Sequence, residues 1–392
     1  MKIILSTIAI ASLASTSVNA QISLTDYDEA TSSFQDSYIN GNLSVFDGRG
    51  SEQTSYQADL TFDYDQILSS PDVNHRFQID AAGAFERGSG AGDPSEENFI
   101  AEASYTRDKY FRPDSNAGFW FGGATIGANS AFDNFDARAV AGVGYGRVKN
   151  VTPMARAIRV VEALQDRGFI IKQPTVATYN KVAKIVARED EYQSKYGSRD
   201  YQQNWVEDVI NTLQSAGVVS VDAGAAEALR TFYVLDSERI STRRTGWSVR
   251  GGIGYAYQSF DSEDDSDPVL EIGAEYHHPI GNLIQFSNEF TATTILQDDD
   301  DSYSARNVMS LTYEIGDRVD WETDWTLDYI DNGITDTNVT VNTFNSTFIY
   351  FLNNSLDYTL RFTVANFSGD EDIDNPNGTD TSLFMGIRYR LK

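Results

Sequence analysis

Over most of the chain, apolar and polar residues alternate with a period of two, as they do on strands whose successive side chains point to opposite faces. Residues 56–64 place Tyr56, Ala58, Leu60, Phe62 and Tyr64 on one face and Gln57, Asp59, Thr61 and Asp63 on the other. The split recurs at Phe77, Ile79, Ala81 and Phe85, and at Phe99, Ala101, Ala103 and Tyr105 opposite Glu102. After a central break it returns at Trp247, Val249, Ile253, Tyr255 and Tyr257, and at Leu270, Ile272, Ala274 and Tyr276 opposite Glu271 and Glu275. Val319, Trp321, Trp325, Leu327 and Tyr329 face away from Asp320, Glu322, Asp324 and Asp328. The last two runs are Leu356 to Val364 and Leu383 to Leu391.

Connection lengths separate a soluble sandwich from a barrel. Pro279-Ile-Gly-Asn282, Gly316-Asp317 and Asn353-Asn354 are tight, whereas Asp261–Asp267, Gln297–Ser302, Asp331–Asn338 and Ser368–Thr381 are long and mostly acidic. Short turns on one rim and long loops on the other are the plan of a transmembrane antiparallel β-barrel. About six strands precede residue 150, starting near Ile39, Leu43 and Val45, and about eight follow residue 242. The expected fold is therefore mainly β, a barrel of about 14 strands, with 12 or 16 if a hairpin is redrawn.

Between Asn150 and Thr242 the period becomes helical. Thr152-Pro153 is expected to supply an N-cap and a first-turn proline; Met154, Ala157, Ile158, Val161 and Leu164 form one stripe that ends at Gly168. Tyr179, Val182, Ile185 and Val186 mark a second helix after Pro174, Trp205 to Leu213 a third before Gly217, and Ala225 to Tyr233 a fourth. Four amphipathic helices suffice for a small bundle. The expected organisation is a signal peptide over residues 1–20, barrel over 21–149, a periplasmic helical insert over 150–242, and barrel over 243–392.

The leader reading rests on Lys2, the apolar run Ile3 to Leu13 and the small-residue end Val18-Asn19-Ala20. The run is too short for a spanning helix. Composition narrows the function. The 392 residues hold 30 basic and 58 acidic side chains, a formal charge of −28, which argues against nucleic acid as a partner. With no cysteine and three histidines, disulfides, thiolate metal sites and a Cys nucleophile are excluded. Charge also divides the chain. Lys149–Arg244 holds 14 basic and 12 acidic residues, near +2, while the remainder holds 16 against 46, or −30.

At this point the chain resembles the outer-membrane β-barrels of Gram-negative bacteria, porin-like in pattern, over most of its length. The resemblance implies contact with outer-membrane lipid and lipopolysaccharide. One departure is the end, Tyr389-Arg390-Leu391-Lys392, where many such barrels carry a final aromatic residue. Tyr56, Tyr64, Trp247, Tyr257, Tyr276, Trp321, Trp325 and Tyr389 fall on the apolar faces, as an aromatic girdle at headgroup level requires.

The polar faces are expected to line the lumen. They carry Asp59, Asp63, Glu102, Glu271, Glu275, Glu289, Asp320, Glu322, Asp324 and Asp328, with Arg138, Arg250, Arg306, Arg361 and Arg388. Excess carboxylate in a low-dielectric pore concentrates cations and excludes anions, so a passive channel for small cationic or neutral solutes is the leading expectation. The competing reading of these residues is a ladder of cross-strand ion pairs that fills the lumen. The alternative function is a membrane-anchored assembly protein whose insert docks a periplasmic or envelope partner. Asp370, Asp372, Asp374, Asn377 and Asp380 around a Gly378 turn form a candidate for Ca2+ at an outer loop; the competing reading is a solvated loop. No other cofactor is expected. The adjacent His277 and His278 point to opposite faces of a strand and cannot chelate one ion. No Gly-x-Ser-x-Gly elbow, phosphate loop or His-Glu-x-x-His occurs, so the chain is not expected to be an enzyme.

Overall fold

The computed structural model describes residues 22–47, 52–113, 118–130, 135–220, 224–260, 263–297, 301–333, 337–353, 355–370 and 377–391. The expected leader therefore lies outside the described residues. Six strands come first: β1 (Ser32–Phe46), β2 (Ser55–Ser69), β3 (Val73–Arg87), β4 (Ser95–Tyr110), β5 (Gly118–Asn129) and β6 (Phe135–Asn150). Four helices follow: α1 (Thr152–Asp166), α2 (Val176–Val186), α3 (Glu189–Ser215) and α4 (Ala225–Phe232), the last continued by a π-turn over Tyr233–Ser237. Eight strands complete the chain: β7 (Arg244–Phe260), β8 (Glu263–Ile280), β9 (Ile284–Ile295), β10 (Ser302–Gly316), β11 (Val319–Asn332), β12 (Thr337–Phe351), β13 (Leu356–Gly369) and β14 (Gly378–Arg390).

Each strand pairs antiparallel with its sequence neighbour, and β14 returns to β1, so the sheet closes as a barrel of fourteen strands. Closure leaves the outer wall as the apolar one. Leu383, Met385, Ile387 and Tyr389 of β14 are 63%, 60%, 52% and 48% exposed, although these residue types normally seek a core. The same outward row of apolar side chains runs over β7 through Trp247, Val249, Ile253 and Tyr255, and over β12 through Phe344, Phe348 and Tyr350. Of the proposed girdle, Trp247, Tyr276, Trp321 and Tyr389 stand near strand ends on the insert side, while Tyr64 and Trp325 stand nearer mid-strand.

Three of the expected long loops shrink; in Asp331–Asn338, β11 runs to Asn332 and β12 begins at Thr337, the two paired directly. β8 begins at Glu263 and pairs back to Phe260 of β7, and β14 begins at Gly378, so much of each acidic stretch is strand rather than loop. Charge in these stretches does not prevent pairing because the backbone ladder, not the side chain, forms the hydrogen bonds.

The helical insert has a core of its own. Met154, Ala157, Ile158, Val161 and Leu164 of α1 are buried against Tyr179, Val182, Val186, Trp205, Val209 and Leu213. Trp205 donates its indole N–H to the Ile185 carbonyl at 2.9 Å. Gly168, at φ +74, closes α1 in a conformation that favours glycine. The α1 N-cap differs from expectation: Thr152 is the first helical residue, and Asn150 Oδ1 accepts from the Thr152 N–H at 3.0 Å. The segment before β1 joins this core, with Leu24 and Tyr27 buried in it. No described helix is long and apolar enough to cross a membrane.

Candidate functional site

Strand alternation sends every second side chain into the barrel. On three adjacent strands the register aligns carboxylates directly: Asp63 of β2 faces Asp80 of β3, which faces Glu102 of β4. Neighbouring strands lie about 4.8 Å apart, so three like charges share one row across the inner wall. Among the described residues none of these three acids, nor Asp59 or Glu322, forms an ion pair within 4 Å.

The facing wall is mixed in charge. Arg138 approaches Glu271 at 3.6 Å and donates to Thr293 at 3.3 Å, and Arg306 pairs with Asp328 at 2.9 Å. Asp324 accepts from Asn345, Arg361 donates to Thr347, and Arg250 lies over the Phe121 ring at 5.4 Å. Strand parity puts these charged side chains on the face opposite the apolar outer row, where some of them pair and the β2–β4 acids do not.

The lumen is crossed at one level. Arg76 Nη1 of β3 donates to Glu289 Oε2 of β9 at 2.9 Å, although six strand steps separate the two around a ring of fourteen. Glu289 Oε1 accepts from Arg244 at 2.5 Å, Arg76 also holds Asp65 at 3.3 Å, and Arg244 reaches Glu275 at 3.7 Å. His277 completes the cluster, bonded to Glu275 at 3.1 Å and Ser287 at 2.9 Å, whereas His278 stacks outside on Tyr276. A cavity of about 540 Å³ is lined by Arg76, Glu102, Arg138, Glu271, Glu289 and Asp328. A second, of about 560 Å³, lies between the insert and the barrel and includes Asp36, Arg156, Asp320, Glu322 and Arg388. Asn150 and Arg244 line both.

The insert meets the rim through buried ion pairs. Arg159 of α1 bridges Glu238 at 3.0 Å and Glu314 of β10 at 2.7 Å, and Arg243 holds the same Glu314 at 2.7 Å. Arg239 meets Asp357 of β13 at 2.5 Å, and Arg388 of β14 completes that pair at 3.2 Å. Burial pushes the carboxyls of Glu238 and Glu162 up, with Arg159 opposing in both. Burial pushes the Arg243 guanidinium down, against the pull of Glu314 and Asp320.

Arg76, Arg244, Asp80, Asp65 and Asp357 were not singled out by the sequence pattern. Asp80 and Arg76 sit at alternate positions on a strand already marked by Phe77 and Ile79, and that parity was the available signal. Of the suggested Ca2+ loop, Asp372 and Asp374 lie outside the described residues. Asp370 accepts from the backbone and side-chain N–H groups of Asn338 on β12, and Asn377 bonds both backbone groups of Gly369, so these side chains tie the end of β13 to its two neighbours. Asp380 lies within β14, opposite Ala365. Among the described residues no group of three or more acids and histidines is arranged to hold a metal ion.

A family model described as a protein of unknown function, DUF481, matches residues 237–352, about a third of the chain, from the end of the insert to the end of β12. No curated protein matches. Solved structures with a similar fold include the outer membrane channel DcaP of Acinetobacter baumannii, at 7% identity and TM-score 0.36, covering 92% of this chain and 98% of that one. They also include OmpTdeltaL8, an outer membrane protein of Vibrio cholerae, at 7% identity and TM-score 0.32, covering 92% and 100%. An anion-selective porin from Comamonas acidovorans matches at 8% identity and TM-score 0.32, with the same coverages.

Proposed function

We propose that this chain is an outer-membrane channel that passes small cationic or neutral solutes, with its insert on the periplasmic side. The unpaired Asp63–Asp80–Glu102 row carries the reading. Three carboxylates on one inner wall, with no arginine within 4 Å of any of them among the described residues, set a negative potential where a low-dielectric barrel focuses it. A cation gains from that field and an anion is repelled, while a neutral solute is limited by width alone. The apolar outer wall supports membrane placement, since a row such as Leu383, Met385 and Ile387 is stable against lipid and costly against water. Width is set by the Arg76–Glu289 crossing, and the insert covers the rim below it.

Swelling of proteoliposomes in matched solutes tests this. Uptake of small amines and sugars, with exclusion of carboxylates of the same size, is expected. Equal uptake of amine and carboxylate would overturn the charge preference, and no uptake of any solute would overturn the channel.

One observation favours the second reading, an insert that docks an envelope partner. Leu229 of α4 and Ile171 of the α1–α2 connection are each 68% exposed on the bundle. Loss of phenotype on Leu229→Asp with swelling unchanged would support it.

A further inference from the structure

The barrel does not close evenly. β1 pairs with β2 over fifteen positions, Ser32↔Ser69 to Phe46↔Ser55, but with β14 over only four, Tyr38↔Arg390 to Gly41↔Ile387. Continued upward, the same register would set Asn42 against Gly386, Leu43 against Met385 and Val45 against Leu383. These residues are all described, and none of those pairs forms. The outward side chains beside the parting are apolar, Leu43, Phe46 and Leu383 being 69%, 63% and 63% exposed like the rest of the outer wall.

The height of the parting is what makes it functional. Tyr389, at the insert-side girdle, faces Ile39, and an apolar belt extends about 25 Å from that level. At roughly 3.3 Å per residue, tilted, the stretch above Gly41 falls inside the belt. Unpaired backbone N–H and C=O groups have no partner in hydrocarbon, so an edge of this kind persists only where water or a polar occupant reaches it. The lumen supplies that access. Asp59 and Asp63 of β2, both without an ion-pair partner among the described residues, sit one strand away, opposite Asn42 and Tyr38.

The geometry points to the β1–β14 seam as a lateral portal for a cationic amphiphile, its charged head held at the β2–β4 carboxylates and its chain passing between Leu43 and Met385 into the bilayer. Apolar side chains flank the slit on the lipid side, and carboxylates stand beside it on the lumen side. An anionic amphiphile meets the same slit but is repelled by the row behind it. The proposal shares the acidic lumen with the channel reading but not conduction through the barrel, and its test reads the seam alone.

The full chain contains no cysteine, so introduced pairs report without background. In nanodiscs, a photoreactive long-chain amine is expected to label β1 and β14, and the carboxylate of equal chain length to label them severalfold less. Leu43→Cys with Met385→Cys, bridged by a bis-maleimide carrying a reducible disulfide spacer, locks the seam; labelling should fall to background and return on reduction. Leu43→Cys with Ala58→Cys bridges the paired β1–β2 ladder, and oxidation there should leave labelling unchanged. Equal labelling by amine and carboxylate, or labelling that survives the locked seam, would overturn the portal. Absence of label in the unlocked chain would overturn it as well, even if liposomes swell normally.

Discussion

Arg147 and Glu29 join the segment before β1 to the end of β6, and removing one of them alone should be among the costliest substitutions in the chain. The Arg147 side chain is 0% exposed and that of Glu29 2%, with Nη2 and Oε2 at 2.5 Å and Nε donating to the same oxygen at 3.0 Å. Arg147 also donates to the carbonyls of Pro71 and Ser70 and lies 4.3 Å over the Tyr110 ring. Arg147→Met keeps the stem but leaves a buried carboxylate to which, among the described residues, only the Ser69 hydroxyl donates. Breaking one side of a buried pair costs about 3–5 kcal/mol. Replacing both partners with apolar residues is commonly near neutral, so Glu29→Leu with Arg147→Met should recover much of the loss, short of the two freed carbonyls. Guanidinium unfolding of the refolded barrel in micelles, with the slope unchanged, reads both values. A single variant within about 0.5 kcal/mol of wild type, the range of a surface change, would refute the reasoning.

Leu383→Arg, on the outer wall at mid-strand, should cost about 2–4 kcal/mol of folding into bilayers; no cost would mean that the wall does not face lipid. Trp205→Ala should destabilise the insert by about 3–5 kcal/mol, read as faster exchange of α1 and α2 amides with the strand amides unaffected. Glu162 and Glu238 have raised folded-state pKa values, so their contribution is fully present below the unfolded value near 4.3 and is lost as pH rises through the folded one. Insert amides should therefore be better protected at about pH 5 than at neutral pH, after correction for intrinsic exchange. Glu238→Gln should flatten that difference, and an unchanged slope would count against it.

The barrel was legible because alternation is a local property: Trp321, Trp325 and Tyr329 opposite Asp320, Asp324 and Asp328 announce a two-sided strand without any partner. The insert was legible for the same reason through the stripe of α1. Pairing was not. Arg76 and Glu289 are 213 positions apart, and nothing in either strand says that they meet across the lumen. The Asp63–Asp80–Glu102 row depends on two registers, which the hairpin turns fix and composition does not. Leu24 and Tyr27 escaped notice because a short segment has no period to read. The weak alternation around Ile39 did mark β1, whose seam with β14 is the short one, but it could not show which neighbour would be lost.

A negative lumen that selects by charge has a direct electrical signature, the reversal potential across a salt gradient in a planar bilayer. Wild type should give a cation-selective potential, and Asp63→Asn with Asp80→Asn and Glu102→Gln should move it toward zero without abolishing current. A wild-type potential of zero or of anion-selective sign, or one that the triple substitution leaves in place, would mean that the β2–β4 carboxylates do not set selectivity.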